Sequence, residues 1–285
     1  MKIALIIPLH DQTIYWEKIL RGIQTQTRLP DCVYAVVDRP NLDRIPDCVS
    51  IIKKANSTIS VPINVITVDS VPLNTKRHAD KGFLAGYIRN IGLQEAIKDG
   101  YDCFVFIDGD CIPQKELIRS HELLCSYDVP LMSIGRRRES KYRGLDSREH
   151  QPNLTHLNIF GRNGTLINNP DLIKQCLVVW SCNIGINMKA VSIIQRFNKK
   201  YYDRYELFNS EFNGAWGGED SFLGITAWYC RIFMHTMGEA KSGVEHIDHP
   251  RPETIYTINH KQFFEEQCNI IKKKIAITPM SLDIF

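Results

Sequence analysis

Two carboxylates separated by a single glycine stand where a run of apolar residues ends. The run extends from Cys103 to Ile107, and Asp108-Gly109-Asp110 follows it directly. A glycine hinge lets both carboxylates direct oxygen atoms toward one small volume. Hard oxygen ligands of this kind suit Mg²⁺ or Mn²⁺, and such an ion binds phosphate oxygens. An Asp-Gly pair is also typical of a solvated hairpin turn, so the motif alone leaves both interpretations open.

Two further groups of polar residues lie in the second half of the chain. In WGGED (216–220), paired glycines let a loop approach a ligand closely, and the start of a helix favours the two acids that follow. Simple capping of that helix by Asp220 is the alternative. His246 and His249 have a spacing that suits a metal site, but the same spacing is common in structural pairs.

The pattern of apolar residues predicts the elements that position these groups. Short continuous apolar runs are typical of strands buried on both faces of a parallel sheet, and apolar residues that recur every three or four positions indicate helices. Gly100 is placed to end one of the helices. The alternation of elements predicts an α/β fold with a mostly parallel, Rossmann-like sheet and flanking helices. Strands are predicted at 3–7, 33–37, 64–68, 103–107 and 180–187, and helices near 15–27, 79–98, 114–125, 219–228 and 259–274.

Three of the four predicted strands in the first half of the chain are followed by an acid. These acids are Asp38, Asp69 and the pair formed by Asp108 and Asp110. Ligands of open parallel sheets bind at the carboxyl ends of the strands, so the acids point to a binding site at that edge. For Asp69, capping of the next turn is the alternative interpretation.

The strongest cluster of positive charge lies in segment 135–175, which is rich in Arg, Asn and Gly and has no clear periodicity. A long irregular segment inside a compact protein is typical of a functional loop. A solvated basic loop is one interpretation of the cluster, and contact with an anionic acceptor or a nucleic-acid backbone is the other. The cluster comprises Arg136, Arg137, Arg138, Lys141 and Arg143.

The composition excludes several classes of protein. The chain has 285 residues, of which 44% are hydrophobic and 24% charged, as in ordinary globular proteins. A formal net charge of +3 is too close to neutral to indicate a nucleic-acid-binding protein by itself. No apolar run approaches the roughly 20 residues of a membrane span, and the first residues do not resemble an export signal. Nine cysteines without a CxxC pair fit neither a disulfide framework nor a zinc ribbon, so we expect a cytoplasmic protein.

Taken in order, seven pieces of the chain resemble the GT-A class of nucleotide-sugar glycosyltransferases, particularly the family-2-like group. Some features are shared with the galactosyltransferase and polypeptide N-acetylgalactosaminyltransferase families. The resemblance covers residues 3–110 and 180–250. Its pieces are IIPLHD (6–11), Asp38, GFLAGYIRNIGL (82–93), FIDGDCIP (106–113), CNIGINMKAV (182–191), WGGED (216–220) and HIDHP (246–250).

The resemblance implies a divalent cofactor, Mn²⁺ or Mg²⁺, and a nucleotide-sugar donor, with a UDP-sugar expected first. Asp110 would bind the ion that bridges the two phosphates, and Asp108 would face the ribose. His246 would complete the metal shell, with His249 as its substitute. The nucleotide would contact Pro8, His10, Asp38 and Arg89, with Lys76, Arg77 and Lys81 as further candidates for the diphosphate.

The resemblance also implies roles around the transferred sugar. Trp216, Gly218 and Glu219 would approach the sugar and acceptor, and Asp220 would be the general base that takes the proton of the acceptor hydroxyl. A metal-bound leaving group together with one carboxylate base is the arrangement of enzymes that invert the configuration of the sugar. The retaining relatives have Asn at the position of Asp220, which favours inversion here. The DGD motif departs from the acid-x-His metal motif of several related families.

The implied organisation is one compact domain with two halves and a tail. Residues 1–112 would bind the nucleotide sugar, and residues 113–258 would hold the acceptor and the catalytic groups, with 135–175 as the acceptor loop. Residues 259–285 would form a helical tail. Acceptors of this class include saccharides and proteins, and Arg136, Arg137 and Arg138 are the candidate acceptor contacts.

Three alternatives to sugar transfer onto a saccharide or protein remain open: one changes the acceptor, and two change the function. The same chemistry on a hydroxylated base of DNA, as in some phage enzymes, would use the basic cluster. Nucleotidyl transfer would need a Gly-rich phosphate loop near the N-terminus, and the residues after Ile7 contain none. A non-catalytic nucleotide-sugar-binding protein would have no use for Asp220 as a base.

Overall fold

The computed structural model describes most of the chain, with gaps at several loops. The described residues are 1–9, 14–38, 50, 52, 54, 56–57, 59–68, 84–139, 149–150, 179–212, 218–237, 240–247 and 260–277. Of the residues expected to act in the site, His10, Lys76, Arg77, Lys81, Trp216 and His249 lie outside these ranges.

A seven-stranded sheet forms the centre of the molecule, with strand order β10-β6-β9-β4-β1-β2-β3. All neighbouring strands run parallel except β9, which is antiparallel to both β4 and β6. The prediction of a mostly parallel α/β sheet is therefore confirmed. Its strands are β1 (Ile3–Leu9), β2 (Cys32–Asp38), β3 (Ile63–Val68), β4 (Cys103–Ile107), β6 (Leu131–Ile134), β9 (Asn183–Asn187) and β10 (Phe233–Thr236).

A second sheet of four short strands, in the order β5-β11-β7-β8, was not predicted. Its strands are β5 (Cys111–Pro113), β7 (Arg137–Glu139), β8 (Glu149–His150) and β11 (Val244–His246). Each strand has only two or three residues, too few to produce a periodic signal in the sequence. The sheet pairs the strand after the DGD motif with the strand that carries His246, so it brings two distant motifs together.

Six helices pack around the sheets in the described part of the chain. Two of them are shorter at their N-terminal ends than predicted: α2 begins at Ala85, and α3 begins at Leu117 because β5 and a turn occupy the residues before it. Gly100, with φ +76°, follows the end of α2 as expected. The helices are α1 (Trp16–Gln24), α2 (Ala85–Lys98), α3 (Leu117–Cys125), α4 (Met188–Tyr202), α5 (Glu219–Tyr229) and α6 (His260–Ile277).

Alternate residues of the central strands supply two separate cores. In β1, Ala4 and Ile6 join the cluster under α4 and α5, whereas Ile3, Leu5 and Ile7 join the cluster that contains Trp16 of α1. Every residue of β1 is buried, because helices cover both faces of the sheet. This double burial explains why the strand appears in the sequence as an unbroken apolar run.

Helix α2 approaches the sheet closely at one glycine. A Cβ atom on Gly92 would lie 2.7 Å from Cγ2 of Ile6 and 2.9 Å from Cγ2 of Val36, closer than packed carbon atoms approach. Only glycine therefore allows the helix to rest on β1 and β2 at this depth. The position matters for the site because Arg89 lies one helical turn earlier.

None of the described helices is long and apolar enough to cross a membrane. The seven cysteines within the described residues are free thiols.

Substitution of Gly92 by Ala is expected to lower the free energy of unfolding by about 1–3 kcal/mol, because the added methyl group overpacks a buried contact. Urea denaturation measures the loss. Gln94→Ala in the same helix, at a half-buried position, is the control and is expected to change stability little. Equal stability of Gly92→Ala and the native protein would contradict this packing.

Candidate active site

Arg89 connects the two acidic motifs. Its guanidinium, on the first turns of α2, donates from Nη2 to Oδ1 of Asp108 at 2.6 Å and from Nη1 to Oε1 of Glu219 at 3.1 Å. Asp108 follows β4, and Glu219 begins α5. Arg89 is 2% exposed. The DGD motif and the acids after the paired glycines therefore lie at one site, at the carboxyl edge of β4.

The two carboxylates determine the charge state of Arg89. Burial alone would lower the pKa of the guanidinium, but Asp108 and Glu219 outweigh it and raise that pKa above its ordinary value. The guanidinium also lies over the ring of Phe208, 5.4 Å from its centroid. A buried cation with two hydrogen-bonded anions is a stable arrangement only while all three groups are present.

Asn90 holds the segment that supports Arg89. Its side-chain oxygen accepts hydrogen bonds from the backbone N–H groups of Leu207 and Phe208, and its amide donates to the carbonyl of Phe208 at 2.7 Å. The adjacent Arg89 and Asn90 thus bind two different parts of the later chain. This explains physically why an Arg-Asn pair is a useful feature of the α2 sequence.

Asp220 is partly buried at the first turn of α5. Gly218 precedes the helix with φ +96°, a left-handed conformation that only glycine adopts without strain. Oδ1 of Asp220 accepts from the N–H of Ser221 at 2.7 Å, and Oδ2 accepts from the N–H of Ser181 at 3.3 Å. Both carboxylate oxygens are therefore fixed in orientation.

The surroundings raise the pKa of Asp220 to about 7. Burial makes the largest contribution and the negative charge of Glu219 the next, while Arg89 and the two backbone N–H groups oppose the shift. A carboxylate with a pKa near 7 binds a proton more strongly than an ordinary aspartate does. It is nevertheless mostly ionised at pH values above 7, where it can accept a proton. These properties suit a general base.

Asp110 and His246 form the second pair of the site. Nε2 of His246 lies 3.3 Å from Oδ2 of Asp110, and the N–H of Ile247 donates to the carbonyl of Asp110 at 2.8 Å. The pair arises because β11 is antiparallel to β5, with His246 opposite Cys111. A carboxylate oxygen and an imidazole nitrogen this close together are ligands that suit Mn²⁺.

Sequence reasoning missed two thiols near these carboxylates. Sγ of Cys111 and Sγ of Cys182 form a group with Asp108 in which the ligand atoms all lie within 4.8 Å of one another. Both cysteines are buried, and burial, foremost, raises the pKa of the Cys111 thiol. The residues are 71 positions apart, counted from 111 to 182, so no CxxC-like spacing signals them. A neutral buried thiol is a poor ligand for a hard cation such as Mg²⁺ or Mn²⁺.

The remaining predicted residues occupy two regions of the molecule. Asp38 ends β2 at 4% exposure, and Pro8 lies on the neighbouring strand, paired with Val36, so both are at the carboxyl edge of the sheet. Arg137 begins β7, and its guanidinium lies 5.4 Å from the ring centroid of Trp180. Glu219, expected at the sugar, is 5% exposed and uses one oxygen to bind Arg89.

Solved structures of S. aureus TarS have the same fold. TarS 1-349 in complex with UDP-GlcNAc matches with a TM-score of 0.63 at 15% identity, over 99% of this chain and 68% of that one. TarS 1-349 in complex with UDP gives 0.58 at 17% identity, over 99% and 67%. A further TarS structure gives 0.59 at 15% identity, over 96% of this chain but 40% of that one. At such identities the likeness shows the fold alone, which is the GT-A type of α/β fold.

Comparison of the sequence alone was less informative. No protein-family model matches this chain, and no curated protein matches it.

Replacement of Arg89 by Leu is expected to destabilise the protein by about 3 kcal/mol or more, because it leaves Glu219 and Asp108 without their counter-charge. Urea denaturation measures the loss. Arg196→Leu, at an exposed position on α4, is the matched control and is expected to change stability little. A loss no larger than that of Arg196→Leu would show that the ion pairs do not support the site.

Proposed function

We propose that the protein is a glycosyltransferase that transfers a sugar from a nucleotide-diphosphate donor, with a UDP-sugar expected first, to an acceptor hydroxyl. One observation supports this above all: Arg89 links Asp108 to Glu219, the neighbour of Asp220, at the carboxyl edge of the sheet. The donor-binding motif and the proposed base are therefore close in a fold of the GT-A type. The TarS structures with UDP-GlcNAc and UDP support the choice of donor.

In this proposal the base and ribose of the nucleotide lie along the ends of β1, β2 and β4. Pro8 and Asp38 are at that edge, and Asp108 has 30% of its side chain exposed while Arg89 fixes one of its oxygens. Its other oxygen has room to accept a hydrogen bond from a ribose hydroxyl. Arg89 itself is too buried to reach a diphosphate, so we assign it a positioning role.

Asp110 and His246 would hold the divalent ion. When bound, Mn²⁺ or Mg²⁺ neutralises the charge that develops on the departing nucleoside diphosphate. The side chain of His246 is 8% exposed and that of Asp110 is 11% exposed, and the pairing of β5 with β11 holds them together. This chain therefore supplies one carboxylate from the residue before β5 and one imidazole from β11.

Asp220 would accept the proton of the attacking hydroxyl. The hydroxyl oxygen forms the new bond to the anomeric carbon of the sugar, the bond from that carbon to the diphosphate breaks, and the proton goes to the Asp220 carboxylate. Attack on the face opposite the leaving group inverts the anomeric configuration. The N–H groups of Ser181 and Ser221 hold the carboxylate in place throughout.

Glu219 has one oxygen for Arg89 and one for a ligand. Its Oε2 is buried and receives no hydrogen bond from the residues that the structure describes. A buried carboxylate oxygen normally has a donor, and a sugar hydroxyl is a suitable one. The expected contact of Glu219 with the sugar is thus compatible with its ion pair to Arg89.

The acceptor would be a saccharide, a protein or DNA with a hydroxylated base. Arg137 and Arg138 lie on β7, which pairs with the strand that carries His246, and Arg136 directly precedes them. Their positive charge favours an acceptor that carries negative charge. For DNA, stimulation of UDP-sugar turnover by hydroxymethylated duplex is the discriminating observation.

A panel of nucleotide sugars tests the proposal. UDP-sugars are expected to raise the melting temperature in the presence of Mn²⁺ and to be hydrolysed slowly without an acceptor. Asp110→Ala is expected to abolish Mn²⁺-dependent UDP binding in calorimetry, and His246→Ala to weaken it more than His249→Ala. Asp128→Ala, at an exposed aspartate before β6, is the control. Unchanged UDP binding by Asp110→Ala would contradict the metal site, and the reverse order of the histidines would reassign the ligand.

The rate of transfer is expected to rise with pH through about 7 and then level off, because Asp220 must lose its proton before it can act as a base. The pH profile of kcat/KM, measured with the donor identified by the panel, reports this pKa. Asp220→Asn is expected to lower kcat by about 10²-fold or more and to retain donor affinity. Full turnover by Asp220→Asn would show that Asp220 is not the general base, and would favour the alternative of a nucleotide-sugar-binding protein without this catalytic step.

A further inference from the structure

Two cysteines and an aspartate form a compact group where β4 ends. One ligand atom from each of Asp108, Cys111 and Cys182 lies within 4.8 Å of the other two. No other three His, Cys, Asp or Glu side chains meet at such distances within the described residues. In a tetrahedral zinc site, the ligand atoms lie roughly 3.5–4 Å apart. The group is therefore close to the dimensions of a zinc site before any ion is bound.

The backbone positions all three residues of this group. Ile107 of β4 pairs with Asn183 of β9. The same antiparallel register, continued by one residue, places Cys182 opposite Asp108. The N–H of Cys111 donates to the carbonyl of Asp108 at 3.0 Å, which closes a tight turn and brings Cys111 back beside the aspartate. Strand pairing and a turn thus hold the three ligands in place, which lowers the entropic cost of binding an ion.

The group lies at the border between the apolar core and the solvent. Cys111 is completely buried, Cys182 is 3% exposed, and both belong to the apolar cluster that contains Trp16. The side chain of Asp108 is 30% exposed and forms the side of the group that faces the solvent. Because a surrounding of low dielectric constant strengthens the attraction between a cation and its anionic ligands, this position favours a tightly held ion.

A further oxygen ligand stands next to the thiols. Sγ of Cys111 donates to Oδ1 of Asp110 at 3.4 Å, whereas Oδ2 of Asp110 lies 3.3 Å from Nε2 of His246. Asp110 therefore stands between a sulfur ligand and an imidazole. Thiolates prefer Zn²⁺ to Mg²⁺ or Mn²⁺, so the thiol side of this carboxylate differs in its metal preference from a site made of oxygen ligands.

We propose that Asp108, Cys111 and Cys182 bind Zn²⁺, and that the bound ion excludes the nucleotide-sugar donor. Asp110 or a water molecule takes the fourth position of a tetrahedral site. Zinc displaces the protons of the two thiols, which go to the solvent. The exclusion of the donor rests on the proposed function, which assigns Asp108 to the ribose and Asp110 to the ion at the diphosphate. Zinc occupies the same carboxylates, so donor binding falls as free zinc rises.

A second pair of buried thiols provides an internal comparison. Cys103 on β4 and Cys125 at the end of α3 are buried and joined by a hydrogen bond between their side chains. The described residues bring no third ligand into a group with them. Two thiols alone provide fewer ligands than a zinc site requires, so this pair is the matched control for the proposed site.

The first test is the absorption of Co²⁺ bound to the full chain, without nucleotide and in a phosphine reductant that keeps the thiols reduced. Sulfur ligands give Co²⁺ an intense charge-transfer band in the near ultraviolet, and oxygen or nitrogen ligands do not. The native chain is expected to show this band and to lose it when Zn²⁺ displaces the cobalt.

Variants assign the band to the proposed ligands. Cys182→Ser and Cys182→Ala are expected to weaken the band and to bind Zn²⁺ at least about tenfold more weakly, since even indirect metal contacts contribute this much. Melting temperatures verify that both variants fold. Cys125→Ser is expected to retain the band and the zinc affinity of the native chain. A native chain without the band, or zinc affinity unchanged in a folded Cys182 variant, would overturn the proposal.

The second test is the effect of Zn²⁺ on UDP binding in the presence of Mn²⁺, measured by calorimetry. With free zinc at about ten times its Kd, competition is expected to weaken UDP binding by the native chain about tenfold. The effect is expected to be much smaller in Cys182→Ser, when each protein is compared with its own affinity without zinc. Displacement of Mn²⁺ by Zn²⁺ at Asp110 and His246 would affect both proteins alike. Equal weakening in both would therefore overturn the proposal in favour of that pair.

Failure of the proposed function gives a different result. The absorption of Co²⁺ requires no nucleotide, so it reports on the thiol site even if the native chain neither binds nor hydrolyses any nucleotide sugar. In that case the transfer proposal fails and the band still supports the metal site. If UDP binds normally and zinc does not weaken it, the exclusion of the donor is wrong and the transfer proposal stands.

Discussion

The buried ion pairs of Arg89 determine how the parts of this protein fit together. One guanidinium on α2 holds an aspartate that follows β4 and a glutamate that begins α5, although these acids are 111 residues apart, counted from 108 to 219. Burying the guanidinium of Arg89 and the carboxylate of Glu219 is unfavourable unless each finds a partner. Close packing of α2 at Gly92 places the guanidinium where both carboxylates can reach it.

Glu219 also shapes the electrostatics of Asp220. Burial and the charge of Glu219 raise the pKa of Asp220 to about 7, while Arg89 and two backbone N–H groups limit the rise. A positioning cation and a reactive acid are thus coupled through one shared neighbour. The arrangement keeps an acid that is costly to ionise next to the proposed reaction centre, a common compromise between stability and function.

The small sheet gives the second half of the site its geometry. It carries Cys111, Arg137 and His246 on three adjacent strands. The backbone next to two of these strands is tied to the central sheet, because the Asn183 amide donates to the carbonyls of Arg136 and Ser242. The proposed donor contacts come from the central sheet, and the proposed acceptor contacts come from the small one.

From the sequence alone, five of the seven central strands, most helices and the acids at the strand ends could be predicted, because long apolar runs and helical periodicity record burial locally. The strands β6 and β10 and the helix α4 were not predicted. The sequence also indicated Asp108, Asp110 and Asp220 as polar residues at special positions. The tertiary structure was needed to show that Arg89 binds Asp108 and Glu219 from within and that Cys111 and Cys182 meet near Asp108. These contacts depend on strands of two or three residues and on partners far apart in the chain. Such pairings leave no periodic pattern, since their energy comes from groups that meet only after folding.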